Sequence, residues 1–128
     1  MAIALTTKSV TEYVLERERS LPKEEQTVWL LRPLSLAFRL QISELDGKSD
    51  GWQRAISSCL RGSLAGWRNF KDADGKDVPF ATESAEVLGL RVPVASPESL
   101  LAIPSEDALE LGARCLANLK LSVDDRKN

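Results

Sequence analysis

Cys59 and Cys115 are the strongest nucleophiles in this 128-residue chain, and nothing in the sequence arms them. The chain has no histidine. That removes Ser-His-Asp and Cys-His catalysis, imidazole metal ligation and the side chain best suited to proton transfer near neutral pH. The two cysteines lie far apart with no CxxC, so a zinc site would need ligands from elsewhere. Free cysteine is among the most often buried residue types, and both read as small core residues.

Carboxylates are the next group that could do chemistry. Asp72, Asp74 and Asp77 crowd one turn. A calcium loop needs ligands at positions 1, 3, 5 and 12 with glycine at 6. Placing Gly75 at position 6 puts Phe70 first and Ala81 twelfth, and both fail. A looser divalent site with Glu83 would make a carboxylate-based hydrolase; turn carboxylates facing water are the plainer reading. Gly62, Gly66 and Gly75 match no phosphate-binding fingerprint. Ser57, Ser58 and Ser63 have no base beside them. The expectation is a non-enzyme without cofactor or metal.

Two patterns suit binding instead. Arg54, Arg61 and Arg68 recur every seven residues, nearly opposite an apolar helical stripe, as a basic ridge or a solvated face. Trp29, Trp52 and Trp67 stand at apolar positions of predicted elements, where they would pack in the core or anchor a partner.

The elements that carry these residues follow from periodicity. Residues 9–19 read as a helix with a Ser9/Glu12 capping box and a Val10, Tyr13, Val14 stripe. Thr27–Leu31 reads as a strand stopped by Pro33. Residues 34–45 fit a strand by alternation, or a helix capped by Ser35 with Leu34, Phe38, Ile42 and Leu45 on one face. Residues 46–51 are a loop by composition. A long helix over 50–67, capped by Ser49 or Asp50, carries Trp52, Ala55, Ile56, Cys59, Leu60, Ser63 and Trp67. Asp74-Gly75 predicts a small hairpin with strands 68–72 and 76–80. Phe70 and Phe80 would then lie opposite each other and cluster with Trp67. A short helix over 82–88, ended by Gly89, follows. Ser96-Pro97 opens another, and Ser105 opens a last one with Ala108, Leu111, Cys115 and Leu119 on one face. Residues 121–128 read as a polar tail.

Composition agrees with one soluble globular domain over 1–128. Hydrophobic residues make up 43% and charged residues 28%, outside the range of disordered chains. No apolar run reaches the ~20 residues of a membrane span. The N-terminal Met1–Lys8 has the wrong charge order for a secretory signal, which points to a cytoplasmic location. The net charge of −2 gives no basic domain for nucleic acid.

Several strings resemble the tail assembly chaperones of long-tailed bacteriophages. Thr27-Val-Trp-Leu-Leu-Arg-Pro-Leu-Ser35 resembles their opening "Arg-Pro-Leu-Ser/Thr" segment. Leu60-Arg-Gly-Ser-Leu-Ala-Gly-Trp67 and Asn69-Phe-Lys-Asp-Ala-Asp-Gly-Lys-Asp-Val-Pro-Phe80 are similar to their middle segment. Pro97-Glu-Ser-Leu-Leu-Ala-Ile-Pro104 is similar to their last one. The likeness covers about residues 27–120 and leaves out the segment 9–19. It implies a mainly α domain with a small β-hairpin, a compact helical α+β domain, and favours helix at 34–45. It also implies a non-catalytic role in a bacterial host. Such proteins coat the aggregation-prone tape-measure protein and bring tail-tube subunits to it, and they also occur as longer frameshifted products.

A holding chaperone needs exposed apolar surface. Leu36 and Leu40 lie off the predicted Leu34/Phe38/Ile42/Leu45 face, and Leu109 and Leu116 lie beside the last helix's stripe. These four are the expected client or self-association surface. The competing reading is a small regulatory or host-directed inhibitor that binds one protein or nucleic acid through Arg54, Arg61 and Arg68.

Overall fold

The structure is a computed structural model that describes residues 10–45 and 51–127, with side chains described as far as residue 118. The chain opens with strand β1 (Thr11–Tyr13), makes single 3-10 turns at Glu16–Glu18 and Lys23–Glu25, and enters β2 (Val28–Leu31). Helices α1 (Leu36–Ser43) and α2 (Gly51–Ser63) follow. Next come β3 (Leu64–Arg68), β4 (Thr82–Val87) and β5 (Leu90–Ala95), then α3 (Pro97–Leu101) and α4 (Ser105–Lys127). One antiparallel sheet has the order β1-β2-β3, and β4 pairs with β5 in a separate ribbon.

The described residues form four α-helices and five strands, the strands in two antiparallel sheets. This is an α+β domain with two sheets, and it overturns the expectation of a mainly helical domain with one small hairpin. Three segments account for the difference.

The first is 9–19. Thr11, Glu12 and Tyr13 pair with Leu31, Leu30 and Trp29 as an edge strand, and the described residues 10–19 form no α-helix, only the 3-10 turn at Glu16–Glu18. Tertiary partners outweigh the local capping pattern. Tyr13 Oη donates to Glu110 Oε2 at 2.7 Å, and the Glu16 N–H reaches the same oxygen at 3.0 Å. Arg17 meets Asp107 at 2.6 Å, and Leu15 between them is fully buried. The segment is fastened to α4 along its length.

The second is the end of α2. The helix stops at Ser63, short of 67. Ser63 Oγ donates to the Arg32 carbonyl, and the Arg32 N–H donates to the Ser63 carbonyl, both at 2.7 Å. This reciprocal clasp diverts the chain from the helix onto β2. Trp67 then lies on β3, in register with Trp29.

The third is 82–88, a strand where a helix was expected. Leu88 and Gly89 have φ of 53° and 79°, the two positive values that a two-residue type I′ turn demands. A positive φ is strained for leucine. Leu88 offsets it by packing against the core.

The expected hairpin at 68–80 shrinks to a single bridge, Lys71↔Asp77. Phe70 accepts from the Val78 N–H at 2.8 Å, so its partner is Val78, two residues short of Phe80.

Other expectations hold. Residues 36–43 are helical, and Ser35 Oγ accepts from the Phe38 N–H at 3.3 Å. Ser96 caps α3 with Pro97 in its first turn. Helix α4 starts at Ser105 and runs through Lys127, taking in most of the expected polar tail. The caps expected at Ser9 and at Ser49 or Asp50, the 46–50 part of the loop, and the side chain of Leu119 lie outside the described residues.

Helix α2 is central, packing on α4, β5 and β3. The core joins Trp29, Leu31 and Leu64 of the sheet to Phe38, Ile56, Cys59, Val94 and Leu111. Three further aromatic rings, Trp67, Phe70 and Phe80, pack against this core. Trp67 has ring centroids at 4.9 Å from both Phe70 and Phe80 and 5.7 Å from Trp29. The expected Trp67–Phe70–Phe80 cluster is therefore present, with Trp29 added and Trp67 on a strand. The Trp67 indole N–H donates to the Val78 carbonyl at 2.7 Å.

Candidate protein-binding surface

Helix α1 presents two different faces. Residues 38 and 42 lie one turn apart and are buried, with Leu34 and Leu45 continuing that side. Gly62 of α2 sits beneath Phe38, where a Cβ would stand 3.2 Å from the ring. The helix is thus seated closely on its inner side. At ~100° per residue, positions 36 and 40 fall opposite Phe38. Leu36 is 58% exposed and Leu40 57% exposed. They are one turn apart on the outer face, the i, i+4 spacing of anchors in helix recognition.

The other expected surface residues divide. Leu109 on α4 is 55% exposed. Leu116 is 8% exposed and belongs to the core, which corrects its place in the expected surface. It sits one residue beyond Cys115 on the side of α4 that packs against α2, so it widens the buried stripe. Trp52 was expected at an apolar position within the α2 stripe. It is 65% exposed at the start of that helix. Leu101, at the end of α3, is the most exposed large apolar residue described, at 84%. The sequence left Trp52 open between core packing and anchoring a partner, and it did not single out Leu101. Trp52 fitted a core stripe, and Leu101 sat among apolar neighbours in a five-residue helix too short to show a period.

The basic ridge does not form. Arg54 is exposed and Arg61 half-buried on α2. Arg68 is on β3, where it pairs with Glu12 of β1. The seven-residue spacing breaks because the helix ends five residues before Arg68.

The reactive groups are occupied or quiet. Burial, reinforced by the neighbouring Cys115, pushes the Cys59 thiol up to about 12. Burial also pushes Cys115 up to about 11, against the smaller, lowering effects of nearby Ser63 and the backbone. Both are protonated at neutral pH and poor nucleophiles. Asp72 Oδ1 accepts the N–H groups of Asp74 and Lys76 at 2.9 and 3.0 Å, and Asp77 pairs with Lys71. Their carboxylates fold the turn, and Glu83 is exposed on β4. No cluster of three or more potential metal ligands occurs among the described residues. No described helix is long and apolar enough to cross a membrane.

Comparisons with protein-family models, curated proteins and solved structures found no match for this chain.

Proposed function

We propose that this protein is a non-catalytic tail assembly chaperone of a long-tailed bacteriophage, acting in the cytoplasm of the bacterial host. Its partners are the tape-measure and tail-tube proteins. The observation that carries this reading is the Leu36/Leu40 pair on the outer face of α1, held out by a helix whose other face is fixed in the core.

Two exposed leucines one turn apart, on a rigid helix, suit a long apolar helical client. Each would take a leucine or an aromatic side chain and cover it from water, at about 25 cal/mol per Å² of apolar area buried. Exposed Trp52, Leu101 and Leu109 extend the supply of apolar contact. The sequence resemblance to tail assembly chaperones over 27–120 names the client. The fold departs from the helical domain that the resemblance implied, so the exposed leucines carry more of the argument than the architecture does.

The test is co-expression with the tape-measure protein of the same phage. The expected result is a soluble complex in which both chains co-elute. A tape-measure protein that aggregates equally with and without this chain would remove the chaperone reading.

A further inference from the structure

Arg32 stands at the corner between β2 and α1, and its guanidinium has no partner among the described residues. Its Nε is buried with no acceptor. The ion pairs described join Arg17 to Asp107, Arg68 to Glu12 and Lys71 to Asp77, and none reaches Arg32. Burial alone shifts it, lowering its pKa, with no carboxylate opposing that shift. A cation taken partly out of water without a counterion destabilises the fold that holds it.

The backbone beneath Arg32 is unusually well fixed. Its N–H and its carbonyl are both bonded to Ser63, each at 2.7 Å. Pro33 follows directly and restricts the conformation of the chain on that side. Arg32 is only half-buried as a residue, and Nε is the one guanidinium nitrogen sealed without a partner, so the terminal nitrogens reach the surface. A guanidinium offering its two terminal nitrogens end-on matches the two oxygens of a carboxylate.

We infer that Arg32 is a receptor for a carboxylate of a partner protein, its backbone fixed by the Ser63 clasp and its guanidinium left uncompensated until that partner binds. The ligand class is a carboxylate and not a nucleic-acid phosphate. The chain is net negative, and Arg17 and Arg68 are already spent on Asp107 and Glu12, so the positive field that a phosphate backbone requires is missing. Leu36 and Leu40, four and eight residues further on, supply apolar contact on the same stretch of chain. The natural partner is therefore an acidic, apolar segment. Its identity rests on the proposed chaperone role; the chemistry of Arg32 does not.

The test follows the side-chain Nε–Hε resonance of Arg32 by NMR, using octanoate as a carboxylate with an apolar tail. Octanol and inorganic phosphate serve as the comparison probes. Octanoate should shift the Arg32 signal saturably, octanol should not, and the octanoate affinity should fall about tenfold in Arg32→Met. Arg32→Met keeps most of the apolar stem and should leave Tm unchanged or raise it, because it removes an uncompensated charge. Three results would overturn the inference: no octanoate response at Arg32, a response to phosphate alone, or a fall in Tm showing that the guanidinium is already satisfied within the chain. None of these bears on whether the tape-measure protein is kept soluble, so the two readings fail separately.

Discussion

Gly112 of α4 lies so close to Ile56 of α2 that a methyl group on it would stand 2.5 Å from Ile56 Cγ2 and 3.1 Å from the Ile56 carbonyl oxygen. The absence of a side chain is what lets the two helices approach. Gly112→Ala gains about 1 kcal/mol of helix propensity and must force the helices apart, at about 1–3 kcal/mol. Because the contact includes backbone, the second effect should win. Chemical denaturation should show a destabilised variant with an unchanged m-value. A more stable variant would mean that α4 moves away from α2 freely.

Trp67 ties three segments together through edge-to-face packing on Trp29, Phe70 and Phe80 and its bond to Val78. Trp67→Ala should cost about 3 kcal/mol. Trp67→Phe keeps most of the ring packing and strands the Val78 carbonyl, and should cost about 1 kcal/mol. Equal losses in the two variants would place the energy in the hydrogen bond and not in the aromatic packing.

Both thiols titrate higher in the fold than the ordinary 9.0, Cys59 at about 12 and Cys115 at about 11. The folded chain keeps these protons where the unfolded chain has lost them. Their contribution is whole below pH 9 and is lost as pH rises toward 11–12. Each thiol adds roughly 1.4 kcal/mol per pH unit to that slope. The paired variant Cys59→Ala/Cys115→Ala should start less stable and show a flatter alkaline decline. An identical slope would show that the thiols are not buried in the folded state.

Tyr13→Phe removes the donor to Glu110 and leaves the ring between Arg19 and Arg114. It should cost about 1 kcal/mol. It should also speed amide exchange over residues 11–18, because Glu110 then holds that segment only through the Glu16 N–H. Exchange that accelerates evenly across the domain would show that the segment opens only with global unfolding.

Helix starts were legible because their signals are local. Ser35 bonds within its own first turn, and Ser96-Pro97 fixes a cap and a φ angle without help from elsewhere. The Asp74-Gly75 turn was legible for the same reason. What failed was set at a distance. The Ser63–Arg32 clasp that ends α2 joins residues 31 apart, and the apolar stripe runs past it to Trp67 without a break. The segment 9–19 has helical spacing, but its partners, β2 and Glu110, lie far along the chain. The ribbon β4–β5 was hidden by a polar first strand and by Pro93 in the second. Counting back from the two-residue turn, Pro93 pairs with Ser84 at a position that needs no ladder hydrogen bond. The candidate surface was half legible. Leu36, Leu40 and Leu109 lay off their stripes and are exposed. Leu116 lay equally far off and is core, because α2 packs wide enough to cover it.

A chaperone role for this protein requires the outer face of α1 to hold a client. Leu36→Asp/Leu40→Asp alters only exposed positions and should leave the melting temperature within a few degrees of the parent, a stability change of about 0.5 kcal/mol or less. The measurement is the soluble fraction of tape-measure protein co-expressed with this variant or with the parent chain. The expected result is a folded variant and a tape-measure protein that aggregates. A folded variant that keeps the tape-measure protein as soluble as the parent does would contradict it.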